Sequence, residues 1–186
     1  MTEKVKLRFF LDSEFNNSAT QFFIDPISIA LVSEDRSRAN LYAVSSEFDA
    51  DKITPWLEEN VIKHLPAPTE RVSNDTIRDK IIDYIASFKA AGQEVESVEI
   101  WAYNGSTDNV VMANFFGGLT NLRKAFNDAG LPKPDFRDMR ELTRATGARL
   151  PLPENAHDCL VDALWTRDLF EHAVSKLKRG QKFLVS

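Results

Sequence analysis

Residues 8–17 read RFFLDSEFNN. An apolar run, Phe9-Phe10-Leu11, meets two carboxylates, Asp12 and Glu14, and then Asn16-Asn17. The run predicts a buried first strand over 5–11, closed by the two acids. In extended chain, side chains two residues apart point to the same side, so Asp12 and Glu14 share a face. Neighbouring carboxylates at the end of a buried strand repel each other and resist ionisation unless positive charge lies between them. A divalent metal ion is the obvious candidate for that charge.

Two more strands follow. IDPISIALVSED (24–35) alternates Ile27, Ile29 and Leu31 on one side, and NLYAVSSEF (40–48) reads as the third. The polar SEDRSRAN stretch joins them like a hairpin, so the three strands form an antiparallel meander with Pro26 near a strand start or edge. Helices come next. TPWLEENVIKHL (54–65) has Thr54 as N-cap and Pro55 at the first helical position. SNDTIRDKIIDYIASFKAAG (73–92) lines up Ile77, Ile81, Ile85 and Phe88 and stops at Gly92. SVEIWAY (97–103) is a strand after a long helix, which predicts parallel pairing with an earlier strand. Residues 106–118, 119–130 and 136–147 read as three short helices, 148–155 as a loop, and 157–178 as a long helix with Asn155 as its cap. The order predicts a single α/β domain over 1–186, a mixed sheet with helices on its faces. Trp56, Trp101 and Trp165 are expected in the core, with Cys159 as a buried small hydrophobe.

Composition narrows the function. The chain has 186 residues, 43% of them hydrophobic, and 13 Phe, enough for a filled interior. The single cysteine excludes an intramolecular disulfide and a cysteine-based zinc finger. The first residues are too acidic and too short in apolar length for a signal peptide, and no run reaches the length of a membrane span. A cytoplasmic protein is expected. The net charge of −5 counts against a nucleic-acid binder held by bulk charge. It is compatible with an enzyme whose site is acidic because it holds cations. Local basic clusters remain, Lys133, Arg137, Arg140, Arg144 and Arg149, then Lys176, Lys178, Arg179 and Lys182.

Four acids stand at special places: Asp12 and Glu14 at the end of the first strand, Asp108 at the start of the helix after EIWAYNG, and Asp162 in the last helix. Hydrolysis of a phosphodiester by two divalent cations is the chemistry that wants such a set, and hard oxygen ligands suit Mg²⁺ or Mn²⁺. His157, near the positive end of the last helix, is suited to take a proton from an attacking water. Each residue also has a plainer reading. Asp108 alone is a dipole-stabilising first-turn acid, and Asp162 pairs with Asp158 on a solvated face at i and i+4. Against the latter, Leu160, Val161, Ala163, Leu164 and Trp165 surround Asp162, and an acid in an apolar stretch needs a partner.

These residues carry a resemblance. LDSEF resembles the first motif of the DEDDh-type 3′-5′ exonucleases, NGSTD the second, with an Asn four residues before its Asp, and HDCLVDA the third, with a His five residues before its Asp. Thr107 stands where the second motif usually has an aromatic. The chain is most similar to the small single-domain exoribonucleases of this group, which share segments like ISIALVSED and AVSSEFD. The resemblance implies a ribonuclease-H-like fold and two-metal hydrolysis from the 3′ end of RNA, releasing nucleoside 5′-monophosphates. It also implies Asp12, Glu14, Asp108 and Asp162 as metal ligands, His157 as general base, and a possible homodimer. A DNA-directed exonuclease of proofreading or repair type is the alternative, and a non-catalytic nucleic-acid-binding module on the same fold is a third reading.

Overall fold

The computed structural model describes residues 4–17 and 24–177; Lys178, Arg179 and Lys182 lie outside them. Five strands form one sheet: β1 (Lys4–Asn17), β2 (Ile24–Ser33), β3 (Leu41–Val44), β4 (Glu94–Ala102) and β5 (Pro134–Asp138), in the order β3-β2-β1-β4-β5. β1, β2 and β3 pair antiparallel, and β4 lies parallel to both β1 and β5. The mixed sheet and its meander are as the sequence predicts. Six α-helices accompany it among the described residues: α1 (Pro55–Asn60), α2 (Asn74–Ala86), α3 (Ser106–Phe115), α4 (Leu119–Asp128), α5 (Met139–Thr146) and α6 (Cys159–Lys176).

The period-two alternation of β1 divides the core. Phe9 and Leu11 point to one face, where Ile77, Ile81 and Ile85 of α2 and Phe126 of α4 cover them. Phe10 points to the other, against Phe170 of α6 and Met139 and Leu142 of α5. All of these side chains are buried, each worth about 1.5–3 kcal/mol relative to exposure. A smaller cluster of Ile27, Leu57 and Val61 holds α1 against the start of β2.

Several elements differ from expectation. β1 does not end at the acids. It runs on to Asn17, carried by pairing with β2 from Phe9↔Ser33 to Asn17↔Ile24, with an irregularity between Glu14 and Phe15. β3 is shorter than 40–48. α1 stops at Asn60, Thr54 Oγ1 capping Leu57 N–H as predicted, and a separate 3₁₀ turn covers Ile62–His64. α2 ends at Ala86, before Gly92. Residues 134–138 are a strand rather than the start of a helix. β5 lies at the sheet edge and Pro134 is its first residue, a place where a missing N–H is tolerated. Asp138 then caps α5 by accepting from Arg140 N–H at 2.8 Å. α6 is capped by Asp158, not Asn155: its carboxylate accepts from Leu160 and Val161 N–H. Trp56 is 53% exposed, not in the core. No described helix is long and apolar enough to cross a membrane.

Candidate active site

The parallel pairing of β1 with β4 stops at Leu11↔Ala102, while the antiparallel pairing with β2 continues. From Asp12 onward, β1 is therefore open on the edge where β4 would lie. On the α6 face, Asp12 sits opposite Ala30 and Glu14 opposite Ser28. These small partners leave room above the strand, and α6 enters it: Cys159 is buried with its Sγ 3.3 Å from Ser28 Oγ. One turn on, Asp162 completes the cluster. Asp12, Glu14 and Asp162 each offer a carboxylate oxygen within 4.8 Å of the others, and all three are half-buried.

The electrostatics follow from that crowding. Burial, then the charges of Asp108, Glu14 and Asp162, hold the Asp12 carboxyl well above its usual range. Burial and the charges of Asp162, Asp108 and Asp158 push Glu14 up to about 8. Burial raises Asp162 also, while a hydrogen bond from His157 N–H pulls it back. The donor set is all hard oxygen, and added positive charge would let the three ionise together near neutral pH. It fits a divalent cation of the magnesium or manganese type.

Asp108 reaches the same end of the sheet from the opposite layer. It lies in the first turn of α3, is buried, and accepts a hydrogen bond from Ser13 Oγ at 2.7 Å. Burial pushes it up to about 6, against hydrogen bonds from the Ser13 hydroxyl and from the backbone N–H groups of Asp108 and Ser13. The open edge of β1 is what leaves Ser13 free to serve it. Asp108 is thus near the three-acid cluster without being one of its mutually close oxygens.

His157 precedes α6 by two residues, with φ +74°. Its backbone N–H donates to Asp162 Oδ2 at 2.9 Å, and its exposed ring meets Trp56 edge to face, centroids 4.9 Å apart. Phe15 is half-buried and packs against the core cluster that α2 and α3 cover.

A 3′-5′ exoribonuclease of Mycobacterium tuberculosis, found in strains H37Rv and CDC 1551, is 32% identical over 162 residues, 84% of this chain and 87% of that protein. The chain belongs to the DEDDh-type 3′-5′ exonuclease family. Among solved structures, the zinc-bound form of the E. coli ExoI–ssDNA complex superposes with a TM-score of 0.64 at 14% identity, over 94% of this chain and 41% of that one. Cell-death related nuclease 4 (CRN-4) gives 0.59 at 12% identity, over 91% and 64%. The chain spans less than two thirds of either protein, and the likeness at these identities is one of fold, ribonuclease-H-like. No family model matches.

Within this exonuclease, all five residues of the motifs stand at one end of the sheet. Two neighbours of these residues have no motif to announce them. Ser13 reads as an ordinary strand residue between two acids, and its contact with Asp108 appears only once α3 lies beside the open edge of β1. Trp56 reads as core on a short helix; its exposure follows from Leu57 of α1 and Val61 just after it taking the buried side.

Proposed function

We propose that the protein is a metal-dependent 3′-5′ exoribonuclease that removes nucleotides from a single-stranded 3′ end and releases nucleoside 5′-monophosphates. The observation that carries this is the convergence of Asp12, Glu14 and Asp162 to within 4.8 Å. Asp12, Glu14 and Asp162 would hold one Mg²⁺ or Mn²⁺ and Asp12 with Asp108 a second, and the bound ions supply the charge that activates water and stabilises the leaving 3′-oxygen. The chain's own part is to place groups around that chemistry. Ser13 fixes the Asp108 carboxylate in position. A ring nitrogen of His157 takes the proton of the attacking water. The His157 N–H bond to Asp162 ties the base to the cluster it serves, and the Trp56 ring limits where the imidazole swings. The exposed indole also offers the terminal base a stacking surface. RNA as the substrate is supported by the relative named above, and the family resemblance carries a cytoplasmic homodimer into the same reading.

Strands labelled at the 3′ or the 5′ end, in RNA and in DNA, test this with and without Mn²⁺. A 3′ label should be released first as mononucleotide, with Mn²⁺ only, and a 5′-labelled strand should shorten stepwise. RNA should be consumed faster than DNA, and Asp162→Asn should leave every strand intact while keeping the parent's cooperative fold. Internal cuts, or full turnover by Asp162→Asn, would remove the proposal; faster loss of DNA would move it to the DNA-directed alternative.

A further inference from the structure

One cavity is lined by the turn of α6 that follows Asp162 and has no part in the chemistry above. It has a volume of about 650 Å³ and sits between α5, the segment 148–152 and α6, within the range of about 300–1,000 Å³ usual for small-molecule sites. Two aromatic rings line it. Tyr103 and Trp165 meet edge to face with centroids 5.1 Å apart, and Trp165 Nε1 donates to Pro151 O at 2.8 Å, which fixes the loop against the helix. Arg144 and Arg149 also line it. Both are exposed, and neither has a carboxylate partner among the described residues. Lys176 adds a third cation beside them, its Nζ donating to Gly147 O at 3.3 Å. In a chain of net charge −5, unpaired cations gathered around two aromatics match one kind of ligand, an anion joined to a flat ring.

The place of the cavity says which. Trp165 lies three residues after Asp162 on α6, a rise of about 4.5 Å. Tyr103 directly follows Ala102, the partner of Leu11 beside Asp12. A strand whose last linkage rests on the acids has its next nucleotides within reach of the cavity.

We propose that this cavity is a second nucleotide subsite, which takes a base and its phosphate from the single strand 5′ of the two nucleotides joined by the linkage being cut; it rests on the exonuclease reading above. The base lies against Trp165 and Tyr103, and the phosphate against Arg144 and Arg149. The acids handle one linkage, and this subsite supplies the grip that favours longer strands over dinucleotides.

The double variant Arg144→Gln/Arg149→Gln tests it, since both side chains are exposed and their loss leaves the core intact. KM is measured for a dinucleotide and an octanucleotide with Mn²⁺. Binding of the octanucleotide is measured against salt in an Asp162→Asn background, which keeps the strand uncut. The octanucleotide KM should rise about tenfold and more than the dinucleotide KM, and the salt slope of binding should become shallower by about 0.7, for one phosphate on a single strand. An active double variant with the parent's length dependence and salt slope overturns the subsite alone. A parent that shortens no strand overturns the exonuclease reading, and the subsite with it.

Discussion

His157 holds a left-handed backbone, φ +74°, at a position where glycine would sit without strain. A side chain kept at such a cost points to work done by the ring. Two contacts stabilise it, the N–H bond to Asp162 and the edge-to-face meeting with Trp56. The N–H bond belongs to the backbone, so removing the ring leaves the Asp162 carboxylate with its partner. His157→Ala should therefore lower kcat by roughly 100- to 10,000-fold, the range for a lost general base, and keep the affinity for Mn²⁺ near that of the parent in calorimetric titration. His157→Gly should match it in rate and melt no lower, because glycine accepts the backbone conformation freely. A His157→Ala protein that loses Mn²⁺ affinity in proportion to its rate would make the ring a ligand instead.

At the scale of elements, the site depends on β1 outrunning β4, with α3 starting in the space that β4 vacates. Gly105 is where the chain makes that turn. A Cβ there would stand 3.0 Å from Ala102 Cβ and 3.3 Å from Ala102 O. Ala102 is in register with both Leu11 and Asp138, so it has little freedom to yield and α3 must shift. Gly105→Ala should cost about 1–3 kcal/mol, typical of overpacking, and lower the melting temperature by about 2–4 °C per kcal/mol. It should also lower kcat, because Asp108 moves away from Ser13. A variant that melts and turns over like the parent would show that α3 tolerates the shift. The same elements explain what the sequence conveys. The Ile77-Ile81-Ile85 stripe of α2 buries one apolar face, and β2, with Ile29 and Leu31 on one side and Ala30 and Val32 on the other, is buried on both, so local pattern and fold agree. β5 is hidden because only Phe136 is a large apolar residue in that strand, while Met139 and Leu142 extend a helical spacing back across it. The cap of α6 is ambiguous for a similar reason: Asn155 and Asp158 are both good caps, and only the path of the chain decides which meets the free N–H groups. Of the motif residues, Asp12, Glu14 and Asp162 stand out in the sequence and do meet within 4.8 Å. Ser13 and Trp56 do not stand out, because their contacts with Asp108 and His157 come from neighbours distant in sequence.

For the molecule as a whole, the acidic cluster links folding, pH and metal. Glu14 has a folded pKa of about 8 against an ordinary 4.5, Asp108 about 6 against 3.8, and Asp12 and Asp162 are raised as well. A raised carboxyl pKa means that the folded protein keeps a proton which the unfolded chain has already released. Stability is then highest at low pH and falls as pH rises from the ordinary carboxyl pKa through the folded one. The groups shifted the other way, exposed Asp35 and Glu59 and half-buried Asp49, are lowered and so lie below that window. Without metal, the melting temperature should fall steadily between about pH 5 and about pH 8.5. Divalent cations reverse the sign, because they bind the deprotonated cluster and compete with its protons. Mn²⁺ at about 100 times its Kd contributes about 2.7 kcal/mol, or roughly 5–10 °C for a chain of this size. That increment at a fixed Mn²⁺ concentration should be larger near pH 8 than near pH 5.5. Calorimetric melts with EDTA and with Mn²⁺ across this range decide it. A metal-free protein that grows more stable toward pH 8 would mean that the three carboxylates ionise without help, and that no cation is needed to hold them together.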